Sequence, residues 1–215
     1  ELYTKDGKPI PSLSITGALA VAVPGQVAGL TQGHRRFGTL PLQVLMAPAI
    51  RLALEGFTLD PTLRYAIERQ QASIRKFPEL GRIYMPKDEV PAEGELIRQT
   101  ELGGVLKAIA SQGADVFYRG WIAQAIVEAL QKEGGVLTLD DLRNYRAVWR
   151  QPLVGHYRRR TVITMPPPSS GGVALLQMLN ALEGHPLSSL PAHSATYFHL
   201  LAEAMKHAFA DRAQY

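Results

Sequence analysis

The feature that most constrains the fold is an apolar stripe with helical spacing near the C-terminal end of this 215-residue chain. It follows the i, i+3, i+4, i+7 pattern and consists of Tyr197, Leu200, Leu201, Ala204, Met205, Ala208 and Phe209. A helix with one apolar face is stable only when another element covers that face. Shorter stripes of the same kind recur along the chain, with a few short segments of alternating apolar residues between them. The sequence therefore predicts an α/β (α+β) protein that is predominantly helical with a few strands.

Capping residues and glycines predict where the helices begin and end. Thr39 and Asp60 are candidate N-caps, and Thr138 with Asp141 resembles a capping box. Glycine ends several of the periodic segments, because it adopts the backbone conformation found after a helix. The predicted helices lie at 26–36, 41–55, 61–76, from 101 to a stop at Gly113, 120–132, 138–145, 173–183 and 197–209.

The predicted strands are few and short. Alternating Leu19, Val21 and Val23 predict a buried strand over 17–23. Two further strands are predicted at 153–157 and 161–165, joined by a tight basic turn. Segments 4–16 and 78–100 contain several Gly and Pro residues; the first is predicted as an exposed loop and the second as mostly loop.

Composition excludes several classes of protein. Apolar residues make up 46% and charged residues 20%, as in a chain that buries a core rather than a disordered one. No run approaches the roughly 20 apolar residues that span a bilayer. The formal charge of +4 is small and scattered, which does not favour nucleic acid as a partner. With no cysteine, disulfides and a thiol nucleophile are excluded in these residues.

Searching for catalytic groups gives no nucleophile. The common phosphate-binding, serine-hydrolase and zinc-protease motifs are absent. His199, Glu203 and His207 have a spacing that suits a divalent metal, but they belong to the polar face beside the apolar stripe. We therefore predict no metal site. The aromatic segment 117–121 is predicted to be a packed corner.

Two segments leave alternatives open. The basic turn 156–160 fits either an anion site or, as we favour, a solvated hairpin that blunts edge pairing. In segment 166–172, three prolines, two serines and two glycines precede a helix. That segment fits either a carboxylate site at a helix start or, as we favour, a rigid strand-to-helix turn.

A series of ordered motifs covers nearly all of residues 17–215. They are V-P-G-x-V-A-G at 23–29, F-G-T-L-P-L at 37–42, A-P-A-I-x-L-A at 47–53 followed by G-F at 56–57, G-x-x-x-F-Y-x-G at 113–120, G-G-x-L-T-x-x-D-L-x-x-Y at 134–145, M-P-P-P-S-S-G-G at 165–172, and A-E-A-x-K-x-A-x-A-D-R at 202–212. In order and spacing this set resembles the heavy (N-terminal) subunit of γ-glutamyltranspeptidase, also called glutathione hydrolase.

The resemblance implies an N-terminal-nucleophile hydrolase with an αββα sandwich in the whole enzyme. Members are made as a precursor that cleaves itself, and a threonine at the start of the light subunit attacks γ-glutamyl amides such as glutathione. Water or an amino acid then accepts the γ-glutamyl group. The implied partners are the light (C-terminal) subunit and a γ-glutamyl substrate, with no cofactor and no nucleic acid. Family habit implies a periplasmic or secreted location.

No catalytic, substrate-binding or metal residue is assigned to this chain. The threonine nucleophile is expected beyond Tyr215, and the arginine that grips the substrate carboxylate is expected before Gly17. We therefore expect 1–215 to be one partial domain, cut at both ends, without an internal boundary. Alone it is expected to be inactive and to self-associate through uncovered apolar stripes. The alternatives are a related acylase, cephalosporin-acylase-like or polyglutamate-processing, and a non-catalytic helical interaction module.

Overall fold

Helices separated by short connections make up most of the chain. The computed structural model describes residues 2–214. These divide after Ala147 into two compact units, called here unit 1 and unit 2. The prediction of a predominantly helical protein with a few strands is confirmed, since 59% of the structure is helix. Whether 1–215 is a single partial domain of a larger protein stays a prediction.

Unit 1 consists of eight helices and two small antiparallel ribbons within its described residues. The helices are α1 Gln26–Phe37, α2 Leu42–Glu55, α3 Pro61–Ile74, α4 Pro78–Tyr84, α5 Thr100–Gln112, α6 Asp115–Tyr118, α7 Trp121–Lys132 and α8 Leu139–Asn144. Strand β1 Thr4–Lys5 pairs with β2 Lys8–Pro9, and β3 Phe57–Thr58 pairs with β4 Leu96–Ile97. Single 3-10 turns lie at Pro11–Ser14 and Ala18–Ala20.

The core of unit 1 is made of separate apolar clusters. One lies between α3, α4 and the β3–β4 ribbon and contains Leu59, Ile67, Ile74, Met85 and Ile97. A second joins α6, α7 and α8 and is built on Tyr118, Ala123, Val127, Leu137 and Leu142. Helix α2 packs against α5, where Gly103 is pressed against Leu54 with no room for a side chain. These clusters form where an apolar helix face meets a neighbouring element, as amphipathic helices require.

Unit 2 is a hairpin followed by two packed helices. Strands β5 Leu153–Tyr157 and β6 Arg160–Thr164 pair antiparallel with Leu153 opposite Thr164. Helix α9 Ser170–Glu183 packs on β5, and α10 Ala195–Gln214 packs on α9. The predicted C-terminal stripe is therefore only half covered. Its alanines at 204 and 208 are buried, whereas Phe209 remains about half exposed.

Several helix boundaries agree with the sequence because local chemistry determines them. The Asp60 carboxylate accepts a hydrogen bond from the Leu63 N–H at 2.9 Å, and Pro61 occupies the first turn of α3. The predicted capping box at Thr138 and Asp141 is present at the start of α8. Both caps satisfy N–H groups that have no partner inside the helix.

Two predictions were wrong, and a third segment contains a helix that was not predicted. The strand over 17–23 is a 3-10 turn and extended chain, because a short alternation cannot form a strand without a neighbour to pair with. Segment 78–100, predicted as mostly loop, also contains helix α4, which begins at Pro78 because proline is favoured at a first helical position. Thr39 does not cap α2, which begins at Leu42 without a side-chain cap.

Smaller differences concern the ends of elements. Segment 4–16, predicted as a loop, contains the β1–β2 ribbon and a 3-10 turn. Helix α9 begins at Ser170, three residues earlier than predicted, because the Ser169 hydroxyl already accepts a bond from Gly171 N–H. Helix α10 extends beyond the predicted 197–209 at both ends, and the Ser194 hydroxyl accepts a bond from Tyr197 N–H at 3.2 Å.

Candidate functional site

Three of the sequence motifs meet in unit 1 around two tyrosines. The Tyr118 hydroxyl donates to the carbonyl of Pro24 at 2.5 Å and accepts from the N–H of Ala28 at 3.0 Å. Its ring stacks on that of Tyr145, with centroids 5.7 Å apart. Gly25 lies directly on the Tyr145 hydroxyl, so a Cβ there would overlap it. We call Pro24, Gly25, Tyr118 and Tyr145 the tyrosine cluster.

The tyrosine cluster is a structural element rather than a reactive site. Burial raises the pKa of Tyr118 above its ordinary value, because a phenolate would lose its hydration. The hydroxyl therefore stays protonated and acts as a donor and acceptor for the backbone of the 23–29 motif. The predicted packed corner at 117–121 is part of this arrangement, with the rings of Phe117 and Tyr118 edge to face at 4.9 Å.

The predicted basic turn is a hairpin. Arg158 and Arg159 occupy the two central positions with φ of 44° and 66°, the left-handed geometry of tight hairpin turns. The Arg158 N–H donates to Glu183 Oε1 at 2.9 Å, and its guanidinium donates to the carbonyl of His185. Arg158 is thus bound to the end of α9, as expected for the hairpin interpretation rather than for an anion site.

The residues weighed as metal ligands do not form a metal site. Both carboxylate oxygens of Glu203 accept from Lys206 Nζ, at 2.9 and 3.0 Å. This hydrogen bond is the main reason why the pKa of Glu203 lies below its ordinary value. Within residues 2–214, no group of three or more His, Asp or Glu side chains is arranged to hold a metal ion.

The best candidate site is a groove of unit 2 where two motifs meet. The proline–serine–glycine motif and the A-D-R motif face each other across a volume of about 710 Å³. We call this the proline–serine groove; its lining is Pro167, Pro168, Ser169, Ser170, Val173, Ala174 and Gln177 with Ala208, Asp211 and Arg212. The sequence analysis singled out the first motif but did not place it beside the second.

Close packing holds the groove in shape. Gly172 lies against the main-chain carbonyl of Met165, and a Cβ at that position would overlap this oxygen. Gln177 Nε2 donates to Asp211 Oδ2 at 2.7 Å, which joins α9 to α10 across the groove. The Ser169 hydroxyl caps α9 through a long bond of 3.4 Å to Gly171 N–H. The helix start, two hydroxyls, one carboxylate and one guanidinium thus line a largely apolar volume.

The lining of the groove offers polar groups that can bind a ligand. The lining residues include two serine hydroxyls but no histidine or lysine that would take a proton from them. The groove can hold a small polar molecule or a segment of protein chain. No helix among residues 2–214 is both long enough and apolar enough to cross a bilayer.

A predominantly helical α/β fold that carries this ordered set of motifs is the fold of an N-terminal-nucleophile hydrolase. The family model described as gamma-glutamyltranspeptidase matches residues 1–215. The chain belongs to the gamma-glutamyltranspeptidase family.

Named relatives include both hydrolases and acylases. The chain is 42% identical over 200 residues to an acylase ACY 1 proenzyme of Pseudomonas sp. (strain SE83), covering 93% of this chain and 36% of the relative. It is 38% identical over 210 residues to a glutathione hydrolase proenzyme of Escherichia coli (strain K12), covering 97% of this chain and 36% of the relative. The chain therefore spans little more than a third of the length of these curated relatives.

The fold is also that of a solved member of the family. The Helicobacter pylori gamma-glutamyltranspeptidase structure superposes with a TM-score of 0.93 and 37% identity, covering 98% of this chain and 60% of that one. The predicted N-terminal-nucleophile hydrolase class is thereby confirmed for this part of the fold.

Proposed function

We propose that this chain is part of the heavy subunit of an enzyme that cleaves γ-glutamyl amides such as glutathione. The enzyme transfers the γ-glutamyl group to water or to an amino acid. The observation that carries the proposal is the family match over the whole of residues 1–215. The partner is the light subunit released from the same precursor, which supplies the nucleophile.

The proposed chemistry requires a threonine whose own amine acts as the base. A hydroxyl is a weak nucleophile until a neighbouring group takes its proton, and an α-amine has a pKa of about 7.7–8.0. The threonine oxygen attacks the γ-carbonyl carbon, the C–N bond breaks, and the departing amine takes up the proton. Water or a second amine then attacks the resulting ester and releases the enzyme.

The chain's own part in this scheme is to support the reacting groups. The tyrosine cluster and the proline–serine groove both hold backbone segments in fixed positions through hydrogen bonds and close glycine contacts. A preorganised surrounding is what an acyl-transfer site needs, because the donors that stabilise the tetrahedral oxyanion must already point at it. Isolated from the light subunit, these residues are expected to be inactive.

A related acylase is the second candidate, favoured by the 42% identity to an acylase ACY 1 proenzyme. The two candidates differ in the acyl group that the enzyme accepts. A γ-glutamyl group is a glutaryl group that carries an additional α-amine. An active site can therefore distinguish the two substrates by a buried side chain that binds this amine. When the glutaryl substrate binds, this side chain is left without its hydrogen-bond partner, which strongly disfavours that substrate.

The test uses the intact precursor expressed from its complete reading frame. We expect self-cleavage into two fragments on a denaturing gel, with threonine as the first residue of the smaller one. Release of anilide from γ-glutamyl-anilide, with little release from glutaryl-anilide, supports the γ-glutamyl enzyme, and the reverse supports the acylase. Replacing that threonine by alanine should abolish both self-cleavage and hydrolysis. An uncleaved protein that is inactive on both substrates would overturn the proposal in favour of a non-catalytic module.

A further inference from the structure

Unit 1 contains a cavity that is smaller than the proline–serine groove of unit 2 and rich in arginine. It has a volume of about 200 Å³ and lies between α1, α6 and the chain that follows α8. The polar side chains that line it include Arg35, Arg119, Arg143 and Arg146, with Asp115 and Tyr118. We call this cavity the arginine pocket. It draws on residues more than a hundred positions apart, so no local motif indicates it.

The positive charge of the arginine pocket is only partly neutralised. Arg143 forms an ion pair with Asp140 at 2.7 Å. Arg119 lies 3.9 Å from Asp115, at the outer limit of an ion pair. Among the described residues, neither Arg35 nor Arg146 has a carboxylate within 4.0 Å. Among the described residues, Arg35 and Arg146 thus line the cavity without a direct ion-pair partner, and Asp115, the one carboxylate in its lining, lies beside Arg119.

Arg146 is exposed, and its side chain is hydrogen-bonded to the main chain beside it. Its Nη1 donates to the carbonyls of Arg143 and Tyr145, each at 2.7 Å. Tyr145 is in turn stacked on the buried Tyr118. Arg146 therefore keeps its Nε and Nη2 donors for another acceptor, and less side-chain entropy is lost when that acceptor binds.

We propose that the arginine pocket binds a compact dianion of the size of inorganic phosphate or a short dicarboxylate. Guanidinium groups bind carboxylate and phosphate oxygens through paired, charge-assisted hydrogen bonds. One water occupies about 30 Å³ of liquid, so a cavity of about 200 Å³ has room for about seven waters, which suits a ligand of this size. The proposal does not depend on which acyl group the enzyme cleaves.

The test titrates the intact protein with phosphate and with malonate by calorimetry, at an ionic strength kept constant with chloride. We expect saturable binding of at least one dianion and weaker binding of the monoanion acetate. The double variant Arg35→Gln/Arg146→Gln should bind at least about tenfold more weakly. Arg51→Gln is the matched control, because Arg51 is an exposed arginine on α2 outside the pocket, and it should bind as the parent does.

A measurement without variants guards against misfolding of the double variant. Phenylglyoxal modifies exposed arginines, and mass spectrometry locates the modified residues. Phosphate or malonate should protect Arg35 and Arg146 of the parent protein but not Arg51. Stronger protection by phosphate or by malonate shows whether the pocket prefers a phosphate or a dicarboxylate ligand. Equal modification with and without both dianions, or equal binding by the double variant and Arg51→Gln, would overturn the proposal.

Discussion

The tyrosine cluster of unit 1 and the proline–serine groove of unit 2 are built from equally conspicuous motifs but differ in where their polar atoms point. In the cluster, the Tyr118 hydroxyl both donates to and accepts from backbone groups of the motif at 23–29. In the groove, Ser170 and Arg212 line a volume of about 710 Å³ that a ligand or a chain segment can enter.

This difference shows that a distinctive sequence motif does not by itself mark a binding site. A glycine in such a motif is needed wherever another group lies too close to the backbone to leave room for a Cβ, whether or not the surroundings are open. Gly25 and Gly172 both lie in such contacts, but Gly25 meets the end of a side chain and Gly172 meets a main-chain carbonyl. The comparison can therefore be tested at these two glycines first.

The largest effect is expected for Gly172→Ala, at about 2–3 kcal/mol of unfolding free energy. Its Cβ would overlap the Met165 carbonyl oxygen, and a backbone atom cannot move without shifting the strand-to-helix turn. Gly25→Ala should cost less, because its Cβ would meet the end of the Tyr145 side chain, which can shift through its χ1 angle without moving the backbone. Gly171→Ala is the control, since its Cβ would meet only Ser169 Oγ at 3.5 Å. Urea unfolding measures all three, and equal losses at the three positions would contradict the comparison.

Tyr118→Phe tests whether the tyrosine cluster is closed to water. It removes the hydroxyl that bonds Pro24 and Ala28, and leaving two partly buried backbone groups unpaired should cost about 2 kcal/mol. Tyr65→Phe is the control, because the Tyr65 hydroxyl is exposed and accepts only from Arg69. Urea unfolding of both variants gives the difference. If Tyr118→Phe were no worse than Tyr65→Phe, water would be replacing the lost bonds and the cluster would be open.

The sequence predicted what short-range chemistry determines. The caps of α3 and α8 depend on residues three positions apart, and the stripe of α10 on a repeat within one helix. Both were readable because these interactions form within a few residues of each other.

Long-range contacts could not be predicted in the same way. Tyr118 bonds the carbonyl of Pro24 across 94 positions, and the arginine pocket joins α1 to the chain after α8. The false strand at 17–23 has the same origin, because pairing depends on a partner elsewhere in the chain. Gln177, which bridges to Asp211 in the groove, carried no local signal of its own.

Helices α8 and α9, which lie next to the two regions, have N-caps of different strength, which allows a sharper comparison. Thr138 Oγ1 accepts from Asp141 N–H at 3.2 Å, in a complete capping box before Tyr145. Thr138→Ala should therefore cost about 1 kcal/mol. Ser169→Ala should cost about 0.5 kcal/mol, since its bond is long at 3.4 Å. Thr39→Ala, at a position that caps no helix, should be neutral in the same unfolding assay.

The smallest effect concerns the pH dependence of that capping box. The pKa of Asp141 lies below its ordinary value, first because its carboxylate accepts from the Thr138 hydroxyl and then because it accepts from the Thr138 N–H. A carboxyl whose pKa is lower in the folded state stabilises the fold above its unfolded pKa. That contribution is lost as the pH falls through the folded pKa. The stability difference between the parent and Asp141→Asn should thus be present at neutral pH and vanish in acid, as followed by urea unfolding over a pH series. A difference that persisted unchanged into acid would mean that the ionised carboxylate does not hold the start of α8 beside the tyrosine cluster.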